Sequence, residues 1–194
     1  MATLTPPIKI DLPPQGEWTY ADWLRLPDDG FKYEVIDGEL YMSPPPSIEH
    51  QNSATSLSAR MRHYAEKHDL GLVLTSPVAV RLPDQEVPVQ PDILFVAKSR
   101  LDIVGENNIE AEPDLVVEIL SPSNWMYDRG RKQEIYMQAG VKEYWLVDYR
   151  KKTVEVLVLE ESEYVLQNVY GVGDTAVSVI LTNFSVPVAD IFRK

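Results

Sequence analysis

The 194-residue chain contains no cysteine. This excludes disulfides, thiolate metal sites and a cysteine nucleophile, and it suits a reducing compartment. No apolar run is long enough to cross a bilayer, and the N-terminus has no basic stretch followed by an apolar one. Neither a membrane span nor an export signal is therefore expected, and the expected location is cytoplasmic. Positive charge is scarce: 18 Lys and Arg stand against 30 Asp and Glu, for a formal net charge of -12. That balance argues against indiscriminate adhesion to nucleic acid. Internal repeats, low-complexity tracts and inter-domain linkers are absent as well, so the chain is expected to form one domain with a real core.

The charge is uneven. Between residues 125 and 152, seven bases (Arg129, Arg131, Lys132, Lys142, Arg150, Lys151, Lys152) face four acids (Asp128, Glu134, Glu143, Asp148). This basic region follows the strongest structural signal in the chain, the segment Pro113 to Ser123. Leu115 to Leu120 is nearly all apolar, as in a strand covered on both faces, and Ser121-Pro122-Ser123 ends it. Glu118 sits inside this run, on the strand face shared with Val116 and Leu120. A carboxylate there is costly unless a cation, a metal or several donors meet it.

Residues 1–18 read as an extended, Pro-rich arm and 19–194 as a single domain. Thr19 caps a predicted helix over 20–26. Asp37-Gly38 marks a hairpin between residues 33–36 and 39–42. Ser47 caps a helix to about His68. Strands are predicted at 72–76, 78–82, 92–96 and 115–120. Asp128 is the candidate cap of a helix that runs to Ala139 and stops at Gly140. Strands follow at 143–147, 154–159, 164–169 and 177–181, then a short helix over 187–192. The order predicts an α/β domain with a mixed central β-sheet flanked by helices.

Three residues form the candidate site. Asp92 opens one apolar strand, Glu118 lies in the next, and Lys132 lies on the following helix, on the face shared with Ile135, Tyr136 and Ala139. A short loop folds that helix back beside the strand, so the ammonium can approach Glu118. Two carboxylates and an ammonium suit Mg²⁺-assisted phosphodiester hydrolysis. Each residue also has a plainer reading. Asp92 can bond local backbone, Glu118 and Lys132 can be a buried ion pair, and Lys132 can lay its stem on apolar surface and end in water.

The chain resembles the Uma-type restriction endonuclease family of the PD-(D/E)XK nuclease superfamily. The resemblance is carried, in order, by Gln90-Pro91-Asp92, by Pro113 to Ser123, by Asp128-Arg129 with Lys132 and Tyr136, and by Ala139 to Asp148. Tyr33 to Leu40 and His50 match the N-terminal pattern, and the whole covers about Trp18 to Leu159. It implies a restriction-endonuclease-like fold and Mg²⁺-dependent attack of water on DNA, with Mn²⁺ as a substitute ion. Asp92 and Glu118 would be metal ligands, with the carbonyl of Ile119 as a third. Glu34, His50 and Gln90 would be ancillary. One departure stands out: the superfamily's usual lysine lies two residues after the glutamate, where this chain has Leu120, so Lys132 becomes the candidate.

The remaining residues have plain readings as well. His63 and His68, five apart, do not share a helix face, which speaks against zinc. Glu34 alone reads as solvated and His50 alone as a cap or surface residue. Tyr136, Tyr144 and Trp145 read as core, and Asp114 as a strand start. Arg129 and Arg131 are candidates for phosphate binding, against a solvated helix start. The leading function is a metal-dependent DNA endonuclease whose DNA binding is weak and salt-sensitive. The rival is an inactive module of the same fold that binds DNA or a protein partner. A glycosidase with paired carboxylates fits Lys132 poorly. The fold also suggests a homodimer that pairs two sites.

Overall fold

A computed structural model describes residues 12–27, 29–121 and 127–193. Thr19 caps α1 (Tyr20–Trp23) through a reciprocal exchange: its hydroxyl accepts from the Asp22 N–H, and the Asp22 carboxylate accepts from the Thr19 N–H. β1 (Lys32–Ile36) and β2 (Glu39–Ser43) pair antiparallel about Asp37 and Gly38, at φ +50° and +74°. Positive φ at both turn residues gives the twist that a two-residue hairpin needs. Ser47 accepts the His50 N–H at 3.2 Å and starts α2 (Ile48–Lys67). β3 (Gly71–Thr75), β4 (Ala79–Val80), β5 (Ile93–Ala97), β6 (Asn108–Ile109) and β7 (Leu115–Ile119) follow. A π-turn over Asp128–Lys132 leads into α3 (Gln133–Ala139), which Gly140 stops at φ +89°. The chain ends with β8 (Glu143–Asp148), β9 (Thr153–Glu160), β10 (Glu163–Tyr170), β11 (Thr175–Val177), β12 (Ser185–Pro187) and α4 (Val188–Ile191).

The central sheet runs β10-β9-β8-β7-β5-β3. Within it β7 and β8 are parallel and the other neighbours antiparallel. One face carries Ile93, Phe95, Leu115, Val117, Ile119 and Trp145 against Leu57, Met61 and Ala65 of α2 and Ile191 of α4. The other carries Leu94, Val96, Val116, Leu120 and Leu146 against Ile135 and Tyr136 of α3 and Ile36 of the hairpin. With both faces covered, all five residues of β7 are buried, Glu118 among them. That explains the unbroken apolar run.

Several expectations change, and the strand predicted at 78–82 is only the two residues Ala79–Val80. β11 ends at Val177 rather than continuing to Leu181. The cause is Glu143: its Oε2 accepts from the Ser178 hydroxyl at 2.9 Å and from the N–H groups of Val179 and Ile180 at 3.0 and 2.6 Å. The backbone turns to reach that buried carboxylate and leaves the ladder. Asp128 does not cap a helix; it lies inside the π-turn with its side chain buried, and the buried Tyr144 hydroxyl donates to its carbonyl at 3.0 Å. The α1 helix is shorter than predicted, four residues. Finally, the end of the N-terminal arm is tied down. Gly16 and Trp18 donate to the Gly38 carbonyl at 2.8 and 3.0 Å, and Trp18 is buried with Val35 and Val87. Residues 1–11 of the expected arm, and the Pro122-Ser123 end of the central motif, lie outside the described residues.

Gly71 opens β3 at φ +149°, and a Cβ there would overlap the Val96 carbonyl oxygen of the paired strand and come within 2.8 Å of Lys98 N. Both neighbours are backbone and cannot swing away. Gly71→Ala is expected to destabilise the domain by more than about 1 kcal/mol. An unchanged urea midpoint would contradict this packing of β3 on β5.

Candidate active site

The ladder between β5 and β7 sets Ile93 opposite Val117 and Leu94 opposite Val116. One step further along the same register, Asp92 comes opposite Glu118. Opposed residues on such a pair have Cβ atoms roughly 5 Å apart, so the two carboxylates meet at the strand ends. The Ile119 N–H donates to Asp92 Oδ2 at 2.8 Å and locks the Asp92 side chain toward β7. Both carboxylates line a cleft of about 750 Å³ between the hairpin end, the Pro44 to Ser47 connection and the first half of α2.

Lys132 reaches Glu118 as expected, but it serves more than that residue. Its Nζ lies 3.0 Å from Glu118 Oε1, 3.0 Å from Glu34 Oε2 and 3.7 Å from Asp128 Oδ1, and its side chain is 2% exposed. Tyr136, one turn along, donates its hydroxyl to the same Glu118 Oε1 at 2.8 Å. It is therefore a polar partner as well as core. Among the described residues the hydrogen bonds thus fall on one oxygen of each carboxylate, Oδ2 of Asp92 and Oε1 of Glu118. Tyr127 covers the lysine, with Nζ 5.6 Å from its ring, and itself stacks on Tyr41 at 4.0 Å.

Glu34 is not solvated; it is 3% exposed. Burial works against its charge, but Lys132 and Lys32 outweigh that and hold its carboxyl below the ordinary range. Gln90 contributes through its backbone. Its N–H donates to Glu34 Oε1 at 3.3 Å, and its carbonyl accepts from Lys32 Nζ at 2.5 Å. His50 approaches from the α2 side, with Nε2 3.3 Å from Asp92 Oδ2; its buried Nδ1 has no protein partner among the described residues.

The site carries four carboxylates with different electrostatics. Burial pushes the Asp92 carboxyl up, but the His50 hydrogen bond and the charges of Lys32, His50 and Lys132 bring it down to about 2. Glu118 is pushed up by burial, and by Asp92 and Glu34 against the pull of the lysines. Asp128 is pushed well above its ordinary value, chiefly by burial, with Glu118, Glu34 and Asp92 adding to it against Lys132. Burial would lower Lys132, yet Glu118, Glu34 and Asp128 hold it charged.

The expected phosphate-binding arginines are not in the cleft. Arg129 forks onto Glu155 at 2.6 and 2.5 Å, while Arg131 pairs with Asp37 and Glu134. Ile119 does line the cleft. Two site residues escaped the sequence reading, Asp128 as a site residue and Lys32. Both had a signal: Asp128 is four before Lys132, on one helix face, and Lys32 is two before Glu34, on one strand face. Among the described residues, no group of three or more acidic or histidine side chains is arranged so that it could hold a metal ion.

A six-stranded mixed sheet with helices on its faces and opposed carboxylates at the ends of two neighbouring strands defines a restriction-endonuclease-like fold. The fold matches that of "a putative nuclease belonging to DUF820" from Anabaena variabilis ATCC 29413, with a TM-score of 0.73 and 19% identity over 90% of this chain and 97% of that one. The Uma2 family model, described as "Putative restriction endonuclease", matches residues 20–189. The chain belongs to the Uma2 family. No curated protein matches the sequence. Among the described residues no helix is long and apolar enough to cross a membrane.

Proposed function

We propose that the chain is a metal-dependent endonuclease that hydrolyses DNA phosphodiester bonds with an activated water. The observation that carries this reading is that Asp92 and Glu118, just past the last β5–β7 ladder pair, both line the cleft, and that among the described residues the hydrogen bonds fall on one oxygen of each. Such a donor set fits Mg²⁺, which favours hard oxygens, takes one or two carboxylates and keeps several waters; Mn²⁺ fits in its place. Asp92 and Glu118 would hold the ion, joined by the Ile119 carbonyl. When bound, the ion polarises a phosphoryl oxygen and lowers the pKa of a coordinated water.

The protein's own groups prepare the site. Lys132 and Tyr136 pin Glu118 through Oε1. The Ile119 N–H and His50 do the same for Asp92 through Oδ2. The low pKa of Asp92 keeps one ligand ionised across the neutral range. Glu34 balances Lys132, so the ammonium does not neutralise Glu118 alone.

The test is cleavage of supercoiled plasmid, with short duplex and single-stranded oligonucleotides beside it, with Mg²⁺, with Mn²⁺ and with EDTA. Metal-dependent nicking by the wild type, lost in Asp92→Ala, is the expected result. Metal-independent cleavage, or none by folded protein on any of these substrates, would contradict the proposal.

A further inference from the structure

Lys132 is the family-type candidate for the ammonium that acts on the substrate, but its surroundings give it another task. Three carboxylates share its Nζ, Tyr127 covers it, and its side chain is 2% exposed. It is not among the residues that line the cleft. For its ammonium to contact a phosphate, it would have to leave charged partners that have no other cation as close among the described residues.

Among the described residues lining the cleft, Lys32 is the one Lys or Arg. Strand alternation puts it on the face of β1 that carries Glu34, and the buried Ile36 two residues further anchors that face in the core. Its side chain is 24% exposed, an intermediate position between core and solvent. The Gln90 carbonyl takes one of its N–H groups at 2.5 Å, and Glu34 lies 3.7 Å away. An ammonium has three donors, so donors remain for another acceptor. Lys32 lines the same cleft as Asp92 and Glu118.

We propose that Lys32, not Lys132, is the ammonium that contacts the scissile phosphate, and that Lys132 is a positioning residue holding Glu118. The proposal rests on the nuclease reading above. It assigns the substrate-facing cation to the hairpin and the buried cation to the π-turn that leads into α3. One phosphate contact by Lys32 adds one counterion to those released on binding, and that signature does not arise from a structural role.

The experiment measures kcat/KM for a short duplex under Mg²⁺ across a salt series. Wild type, Lys32→Gln, Lys32→Arg and Lys132→Gln are compared, each with a thermal melt. Lys32→Gln is expected to melt near the wild type, to lose roughly 10²-fold in kcat/KM, and to show a log–log salt slope shallower by about 0.9. Lys32→Arg should restore the slope. Folded Lys132→Gln should lose kcat while keeping the wild-type slope. Wild-type slope and rate in Lys32→Gln would overturn the assignment while leaving the nuclease standing, as would slope loss in folded Lys132→Gln. A folded wild type that cuts no DNA would overturn both readings together.

Discussion

Lys132→Ala is expected to destabilise the domain by about 3–5 kcal/mol, the cost of leaving buried carboxylates without their cation. Glu118, Glu34 and Asp128 all lie within 4 Å of its Nζ, and each is nearly buried. Without the ammonium their charges repel one another at low dielectric, and protonation at neutral pH offsets only part of that. A domain of this size is stable by roughly 5–15 kcal/mol, so the loss is a large share of the whole. Urea unfolding of the wild type and the variant measures it directly. Neutralising the carboxylates as well, in Lys132→Ala with Glu34→Gln and Glu118→Gln, should recover part of the stability. A cost below about 1 kcal/mol would mean that the cluster is solvated and behaves like surface pairs. The prediction also bears on activity assays. Loss of cleavage in Lys132→Ala is not evidence of catalysis by Lys132 until the fold of the variant is established.

Asp92→Ala and Glu118→Ala are expected to lower metal-dependent cleavage at least ~10³-fold, equivalent to about 4 kcal/mol of lost transition-state stabilisation. Glu118→Gln is the sharper variant. It keeps the side chain's shape and an oxygen for Lys132 and Tyr136, and Lys132 keeps Glu34 and Asp128 as charged partners. Its melting temperature should therefore fall far less than that of Lys132→Ala, while Mg²⁺ binding by calorimetry weakens and cleavage is lost. Asp92→Asn should behave in the same way, because the Ile119 N–H can still donate to its amide oxygen. Full cleavage by folded Glu118→Gln would remove Glu118 from the metal site. Retained Mg²⁺ affinity in both variants would place the ion elsewhere in the cleft.

The carboxylate pair was legible because each residue broke a local rule. An Asp preceding a five-residue apolar strand, and a Glu inside one, mark sites where tertiary contacts must supply what burial removes. Lys132 was legible from helical spacing that put a charge on an apolar face. Asp128 was misread as a cap because an Asp before a helix is commonly one, and a π-turn leaves no such mark in the sequence. Glu34 read as solvated because a hairpin seen alone has a polar edge; its burial depends on the π-turn before α3 folding over that edge. The strand predicted beyond Val177 failed for a related reason, since the group that bends it away is Glu143, 35 residues earlier.

By itself, the sequence determined the order of the main helices and central-sheet strands, the Thr19 and Ser47 caps, the hairpin turn, the conflict of Asp92 and Glu118 with their apolar strands, and the family. Those features rest on periodicity, turn chemistry and local violations of patterning, all of which act between near neighbours in the chain. The tertiary structure alone decided which charges share a site. It set Asp92 against Glu118 by strand register, drew three carboxylates around Lys132, and left Lys32 facing the cleft. Electrostatic roles depend on distance and burial in space, and residues 32, 92, 118 and 132 acquire those only when the sheet, the hairpin and α3 close on one another.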